Sequence, residues 1–509
     1  MRWRAVMMTA AAALGAAVLA GAGATADAGA ATGAGAAAGT GARATVSAAA
    51  QGGTWGTAAE IPGSNRLNHG GTATIGTVSC ASSTNCGAGG SYTSGFSSTA
   101  PILQAFVVNK TANIWRRAAE VPGTAALNTG GNAKINAVSC PGPGDCTAGG
   151  YYTDSAGHQQ ALVVTETGGT WGTAEEAPGS AALNAGSPGA VILSVSCSAA
   201  GDCSAGGYYS DSAGHEQALV VTETGGTWGT AQEVPGIGAL NAGGSARILS
   251  VSCSAAGDCS AGGQYASKTV DGIATVQAFV VNETGGTWGT AREVPGTAAL
   301  NGGGYATVNS VSCTSAGNCT AGGSYTTSTP VTQAFIADET SGTWGKARAV
   351  PGSAALNKRG LAQINSVSCT SAGDCTAAGF YLDTSFNTQP FVVSESGGTW
   401  GTAEEIPGTA ALDQGSPGAM AVAVSCGAPG DCSATGSYTD GSGLQQAFVA
   451  DQSSGSWGSA EEVPGTAALN GGGQAVAQSV SCAPAGLCNA VGTYQNVKLN
   501  TQVFAVSQS

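Results

Sequence analysis

The chain has 509 residues, of which 9% are charged and 42% hydrophobic, with 83 Gly and a formal charge of −14. So acidic a surface repels phosphate backbones, which argues against nucleic-acid partners and, for the same reason, disfavours anionic membrane surfaces. The regular recurrence of Val, Ile, Trp and Tyr argues against disorder.

In chain order, the first element is an export signal over residues 1–26. Arg2 and Arg4 supply the positive end, Ala5 to Leu19 a short apolar stretch, and Ala24-Thr25-Ala26 a cleavage site, with Ala26-Asp27-Ala28 as an alternative. The stretch is too short and Ala-rich for a membrane anchor, and no other segment is long and apolar enough to span a bilayer. Residues 27–50 read as an Ala/Gly-rich flexible linker. Localisation is therefore expected to be secreted and extracellular.

Residues 51–509 hold eight copies of one unit. The repeated Trp residues are Trp55, Trp115, Trp171, Trp228, Trp288, Trp344, Trp400 and Trp457, and the first cysteines of successive copies lie 56–60 residues apart. Each copy predicts four strands: a, ending at the first Cys, such as Val308 to Cys313; b, following the second Cys, such as Thr320 to Tyr325; c, such as Gln333 to Ala337; and d, such as Thr343 to Ala347. Gly, Pro, Asn, Asp and Ser punctuate the junctions. Strand c is almost continuously apolar, as a strand buried on both faces requires. The repeats open with a lone strand d around Trp55 and close with strands a, b and c near Gln502 to Ser507. Pairing these ends removes two sheet edges, so the expected fold is a single eight-bladed all-β propeller of four-stranded blades, closed by the N-terminal strand.

All 16 cysteines form C-x5-C pairs: Cys80/Cys86, Cys140/Cys146, Cys197/Cys203, Cys253/Cys259, Cys313/Cys319, Cys369/Cys375, Cys426/Cys432 and Cys482/Cys488. One pair per copy, separated by turn-formers, predicts one disulfide per blade. Zinc is the rival, but its sites favour closer spacing and further ligands, and no His sits beside these pairs. No cofactor or metal is expected.

Each group of candidate functional residues also has a structural reading. The Trp residues read as packing between sheets rather than sugar platforms. Asp145, Asp202, Asp258, Asp374 and Asp431 read as turn residues, because one carboxylate per loop is too few for calcium. Glu60, Glu120, Glu176, Glu233, Glu293, Glu405 and Glu462 read as a solvated acidic rim. His69, His158 and His215 read as surface loop residues, and no catalytic residue is assigned. One aligned position of the innermost strand carries Thr74, Lys134, Arg247, Thr307 and Gln363. If it faces the channel, Lys134 and Arg247 place positive charge near the axis, a candidate anion-binding site.

The c-to-d turn, Glu166-Thr167-Gly168-Gly169-Thr170-Trp171, resembles the Asp-box of sialidase-like propellers, Ser-x-Asp-x-Gly-x-Thr-Trp. Glu stands in place of the Asp and the leading Ser is absent. The resemblance spans a few residues per copy and implies the propeller fold. The whole chain also resembles secreted bacterial repeat proteins. Two functions follow: a non-catalytic scaffold, expected as a monomer, that binds extracellular glycan, cell envelope or protein; and, as the alternative, a sialidase-like glycoside-processing enzyme. The latter needs clustered Arg, a nucleophile and an acid, and no such set stands out.

Overall fold

The computed structural model describes residues 53–98, 100–186, 189–270, 273–484 and 487–509. The expected signal and linker lie outside these residues. The chain forms eight antiparallel sheets arranged as an eight-bladed β-propeller. In blade 3, strand a is Val191–Ala199, b is Asp202–Ser210 and c is Glu216–Thr224. Strand d comes in two pieces, Thr227–Trp228 and Gln232–Glu233, both paired to strand c. The regular strands are longer than the sequence predicts, because the tight turns continue the ladders, and strand d breaks just after its Trp. A one-turn helix with a left-handed Gly at its N-cap, such as Gly179 before Ser180–Leu183, carries each d strand to the next blade.

The ring closes as expected. Ala59–Glu60 pairs with Ala505 and Phe504 of the last sheet, and Trp55 bridges to Gln508. Blade 8 therefore takes strand d from the N-terminal side and a, b and c from the C-terminal end.

All eight disulfides are closed, each within its own a–b hairpin, with Cα separations of 3.9–4.1 Å. The bridges are Cys80–Cys86, Cys140–Cys146, Cys197–Cys203, Cys253–Cys259, Cys313–Cys319, Cys369–Cys375, Cys426–Cys432 and Cys482–Cys488. The pairing is the expected one, but the position of the second cysteine needs correction. Strand b does not follow it. Cys259, Cys319, Cys375 and Cys432 lie one residue inside strand b, and Cys488 is its first residue in blade 8. The reason is the turn: residues such as Ala255 and Asp258 pair beyond the Cys253–Cys259 rung, so the ladder runs past the bridge.

These five cysteines are also buried, so they are internal staples and not ligand-facing groups. Four of their sulfurs meet a hydroxyl of the preceding blade. Cys319 lies 3.3 Å from the Ser260 oxygen, Cys375 3.4 Å from Thr320, Cys432 3.4 Å from Thr376 and Cys488 3.1 Å from Ser433. A bridged sulfur has no proton, so the hydroxyl is the donor in each contact. Cys259 packs instead in an apolar cluster with Val220, Val251 and Val281. Eight such bridges fit an oxidising, extracellular setting.

The Ser-Val-Ser-Cys motif has a second role beside the bridge. The serine hydroxyls of one innermost strand accept N–H bonds from the Val and Cys of the next. Val251 and Cys253 donate to Ser194 and Ser196, and the pattern crosses the closure, where Val78 and Cys80 donate to Ser479 and Ser481. Ala137 and Ala423 occupy two of these serine positions, so each of those two junctions keeps one such bond, Cys197 to Ser139 and Cys482 to Ser425. Hydrophobic cores lie between neighbouring blades. The space for Ile192 and Val195 is made by Gly149 of the preceding blade, where an added Cβ would sit 2.5 and 2.6 Å from their methyls.

The Glu residues of strand d are not a solvated rim. Each is half-buried and accepts a hydrogen bond from a strand-b tyrosine of its own blade, as in Tyr209–Glu233 at 2.6 Å and Tyr494–Glu60 at 2.6 Å across the closure. The Tyr body is buried by the neighbouring blade, which draws the carboxylate inward to its hydroxyl. Blade 5 has Ala349 at this position, facing Tyr325. Ala349→Glu is expected to stabilise the fold by about 0.5–1.5 kcal/mol, read by urea unfolding; Tyr325→Phe in that background should erase the gain.

Candidate functional site

The b–c and d–a loops share one rim, and the first residues of strand a stand beneath it around the channel. Their placement depends on a β-bulge that every strand a carries at the same point, between Ile192 and Ser194 in blade 3. Opposite the bulge sits the second Gly of the Gly-Gly pair. At Gly207 a Cβ would lie 1.9 Å from the Val191 carbonyl oxygen, and all eight blades have Gly there.

Three of the five sequence candidates are held by neighbours. The Thr74 hydroxyl is 2.9 Å from that of Ser91, Thr307 is buried with its hydroxyl near Asn309, and Gln363 donates to Asn365 at 2.6 Å. Lys134 lies opposite Tyr151, and burial pushes its ammonium below the ordinary lysine range. Arg247 forms an ion pair with Glu216 and lies 5.0 Å over the ring of Tyr208. Its Nε is buried without a hydrogen-bond partner. On the next blade Tyr305 is 39% exposed, and its hydroxyl donates to Gln264 at 3.2 Å.

Blades 2 to 5 thus carry a cluster, Tyr151, Tyr208, Arg247, Glu216, Tyr305 and Lys134, that has no counterpart among the described residues of the other half of the ring. Sequence reasoning missed the tyrosines and Glu216. The signal was the doublet Gly-Gly-Tyr-Tyr: its first Tyr occurs only at 151 and 208, while the same position is Ser91, Gln264, Ser324, Phe380, Ser437 and Thr493 elsewhere. Burial holds the Tyr151 and Tyr208 phenols above the ordinary range, with the Glu216 charge adding to the effect at Tyr208. They are neutral rings with hydroxyl tips at physiological pH.

The opposite rim is structural. Asp145, Asp202, Asp258, Asp374 and Asp431 each accept a backbone N–H from the c–d turn of the same blade, as Asp202 does from Gly225 at 3.0 Å, so they clamp two hairpins together. Trp55, Trp288, Trp344 and Trp400 are buried, and each indole donates to strand c of the preceding blade. The Glu of the Asp-box-like turn is buried between blades. Glu283, for instance, accepts from Ser204 at 2.7 Å and Thr222 at 2.6 Å of blade 3. Blade 1 has Lys110 at this position, donating to Asn489 at 2.6 Å, and burial lowers its ammonium to about 8. His69, His158 and His215 are exposed.

Together these features define an eight-bladed, disulfide-stapled β-propeller with one singular cluster at one mouth of its channel. Among solved structures, it is similar to an ulvan lyase of a polysaccharide lyase family (10% identity, TM-score 0.40, covering 82% of this chain and 96% of that one). It is also similar to a sialidase from Streptococcus pneumoniae (13%, 0.30, 89% and 70%) and a fucose-specific lectin from Aleuria aurantia (13%, 0.30, 63% and 93%). Overlaps of this size carry no argument about activity. No protein-family model and no curated protein matches the chain.

Proposed function

We propose that this is an exported, non-catalytic propeller that binds glycan at the channel mouth over Tyr151, Tyr208 and Arg247. The observation that carries the reading is the Tyr208–Arg247–Glu216 group. The aromatic surface of Tyr151 and Tyr208 suits the C–H face of a sugar ring, and the Arg247–Glu216 pair, with the guanidinium over the Tyr208 ring, supplies donors and acceptors for its hydroxyls. Lys134 and Arg247 together favour a glycan bearing negative charge. The extracellular setting rests on the eight disulfides and on the signal-like N-terminus.

On a glycan array, the parent is expected to bind a restricted set of sugars. Tyr208→Ala and Arg247→Ala should each weaken binding by about tenfold or more, while Tyr208→Phe keeps most of it. Binding that survives Tyr208→Ala unchanged, or no binding at all, refutes the proposal. The second reading, a glycoside-processing enzyme, draws on the same neighbourhood of Tyr208 and Glu216. It ranks lower because burial and the Glu216 charge keep the phenol protonated and because only one Arg stands in the cluster. Turnover of fluorogenic glycosides that Tyr208→Phe abolishes would reverse that ranking.

A further inference from the structure

The b–c loops of blades 6, 7 and 8 carry exposed apolar tips: Phe386 is 58% exposed, Leu444 42%, Val497 81% and Leu499 66%. Phe96, at the same place on the adjoining blade 1, is 61% exposed. Blades 2 and 3 have Ser-Ala-Gly-His at their tips instead. The loops of blades 2, 3, 6, 7 and 8 are built alike. An Asp or Asn side chain accepts two backbone N–H groups further along, as Asp154 does from Ala156 and His158, Asp383 from Ser385 and Asn387, and Asn496 from Lys498 and Asn500.

That shared geometry isolates an anomaly. Three residues after the Asp or Asn the backbone is left-handed, and blades 2, 3 and 7 place Gly157, Gly214 and Gly443 there, with φ of 85°, 79° and 78°. Blades 6 and 8 place Phe386 and Leu499 there, with φ of 67° and 62°. A bulky residue in this region is strained, and neither gains burial in exchange. The fold alone would favour glycine, so strain is retained where it presents a large apolar side chain to solvent.

Charge marks the same arc. Lys498 lies between Val497 and Leu499. Lys358 and Arg359 stand beside blade 6, with the Arg359 guanidinium 4.4 Å over the Phe386 ring, and Arg66 lies on the loop leading into blade 1. Among the described residues, these four cations on the rim loops of blades 6, 7, 8 and 1 stand against three carboxylates, Asp383, Asp413 and Asp440, each of which accepts hydrogen bonds from neighbouring backbone and side chains. Most carboxylates off these rim loops lie along strands c and d, where strand-d Glu residues are tied to Tyr hydroxyls, and on the far rim. Strands of about nine residues put that far rim about 30 Å away, several screening lengths of about 8 Å in physiological salt.

We propose that this arc docks the propeller on an anionic lipid surface, with Phe386, Leu444, Val497 and Leu499 entering the interface and Lys358, Arg359 and Lys498 facing the headgroups. Separate protruding tips suit a soft interface, and long cationic side chains bury their stems while reaching the charged layer. The proposal is independent of glycan binding at the channel mouth.

The test is flotation with vesicles of phosphatidylcholine, with and without phosphatidylglycerol. Parent and variants differ only at rim positions, so that any contribution of residues 1–52 is common to all. The parent should float with the anionic vesicles. The double variant Phe386→Gly/Leu499→Gly should lose binding by about tenfold with no fall in Tm, since glycine suits both backbones. Lys498→Glu should remove much of the salt-sensitive part. A parent that ignores anionic vesicles overturns the proposal, as does a double-glycine variant that binds like the parent. Parent dimers in sedimentation velocity that the glycine pair dissolves would make a second copy the occupant, and would equally overturn it.

Discussion

Replacing Gly207 with alanine is expected to destabilise the propeller by about 3 kcal/mol or more, whereas alanine at its neighbour Gly206 should cost about 1–2 kcal/mol. In most strands such a change is neutral or favourable, because glycine gives up more chain entropy on folding. Here the new methyl of Gly207→Ala would lie 1.9 Å from the Val191 carbonyl oxygen, held in the bulge of strand a, and no side-chain rotation relieves that overlap. The methyl of Gly206→Ala meets only side-chain carbons, Cγ2 of Ile248 at 2.6 Å and of Val251 at 2.8 Å, which can shift. Urea unfolding of both variants decides the matter: equal costs would mean that the bulge tolerates a Cβ. Gly207 also precedes Tyr208, so a variant that still folds should bind glycan less well than Gly206→Ala.

The second large effect is on pH dependence. Glu166 and Glu395 are buried between blades, and desolvation raises their carboxyls to about 7; Glu223, Glu283 and Glu339 are raised by the same cause. A carboxyl raised from 4.5 to about 7 binds more protons folded than unfolded at any pH between. Its contribution to stability is therefore complete below about 4.5 and is lost as pH rises through 7. At about 1.4 kcal/mol per pH unit, Glu166 and Glu395 would each contribute about 1–3 kcal/mol of pH-dependent stability. The protein is expected to melt several degrees higher at pH 5 than at pH 8. Loss of net negative charge on acidification acts in the same direction. Glu166→Gln and Glu395→Gln separate the two, since they should flatten the profile while hardly altering overall charge. Blades 7 and 8 already carry Gln452 and Gln508 at this position. A Tm that is flat or rises from pH 5 to pH 8 would disprove the account. Asp154 and Asp374 work the other way at the acid end: side-chain hydrogen bonds from Gln160 and Ser371 hold them low, and that stabilisation is lost as they protonate.

The blade count, the disulfide pairing and the closing strand were legible in the sequence because each is a periodic property: Cys, Trp and Gly repeat with the blade. What one copy does to the next was not. The serines of Ser-Val-Ser-Cys read as ordinary strand residues, yet their hydroxyls take N–H bonds from a blade whose residues lie 57–61 positions away. The second cysteines likewise read as turn ends, and only the folded ring shows Cys319 or Cys488 against a hydroxyl of the blade before it. The strand-d glutamates looked solvent-facing because nothing local shows that Tyr209 or Tyr494 reaches them across the sheet. The site was half legible. Lys134 and Arg247 stand out because charges are rare in strand a, whereas Tyr208 is masked by Tyr209 beside it, which belongs to the periodic core.

The disulfides hold hairpins, and none crosses from one blade to another. The ring is consequently not a covalent hoop. Its one seam is the short run from Thr54 to Ile61, attached to the last sheet by backbone bonds and the Tyr494–Glu60 pair, and to strand c of blade 7 by the Trp55–Asp451 contact. Tension applied at the N-terminal side would load that seam like a zipper, one bond at a time, and peel it before any other blade yielded. Reducing agent would loosen every hairpin and leave the seam itself no weaker.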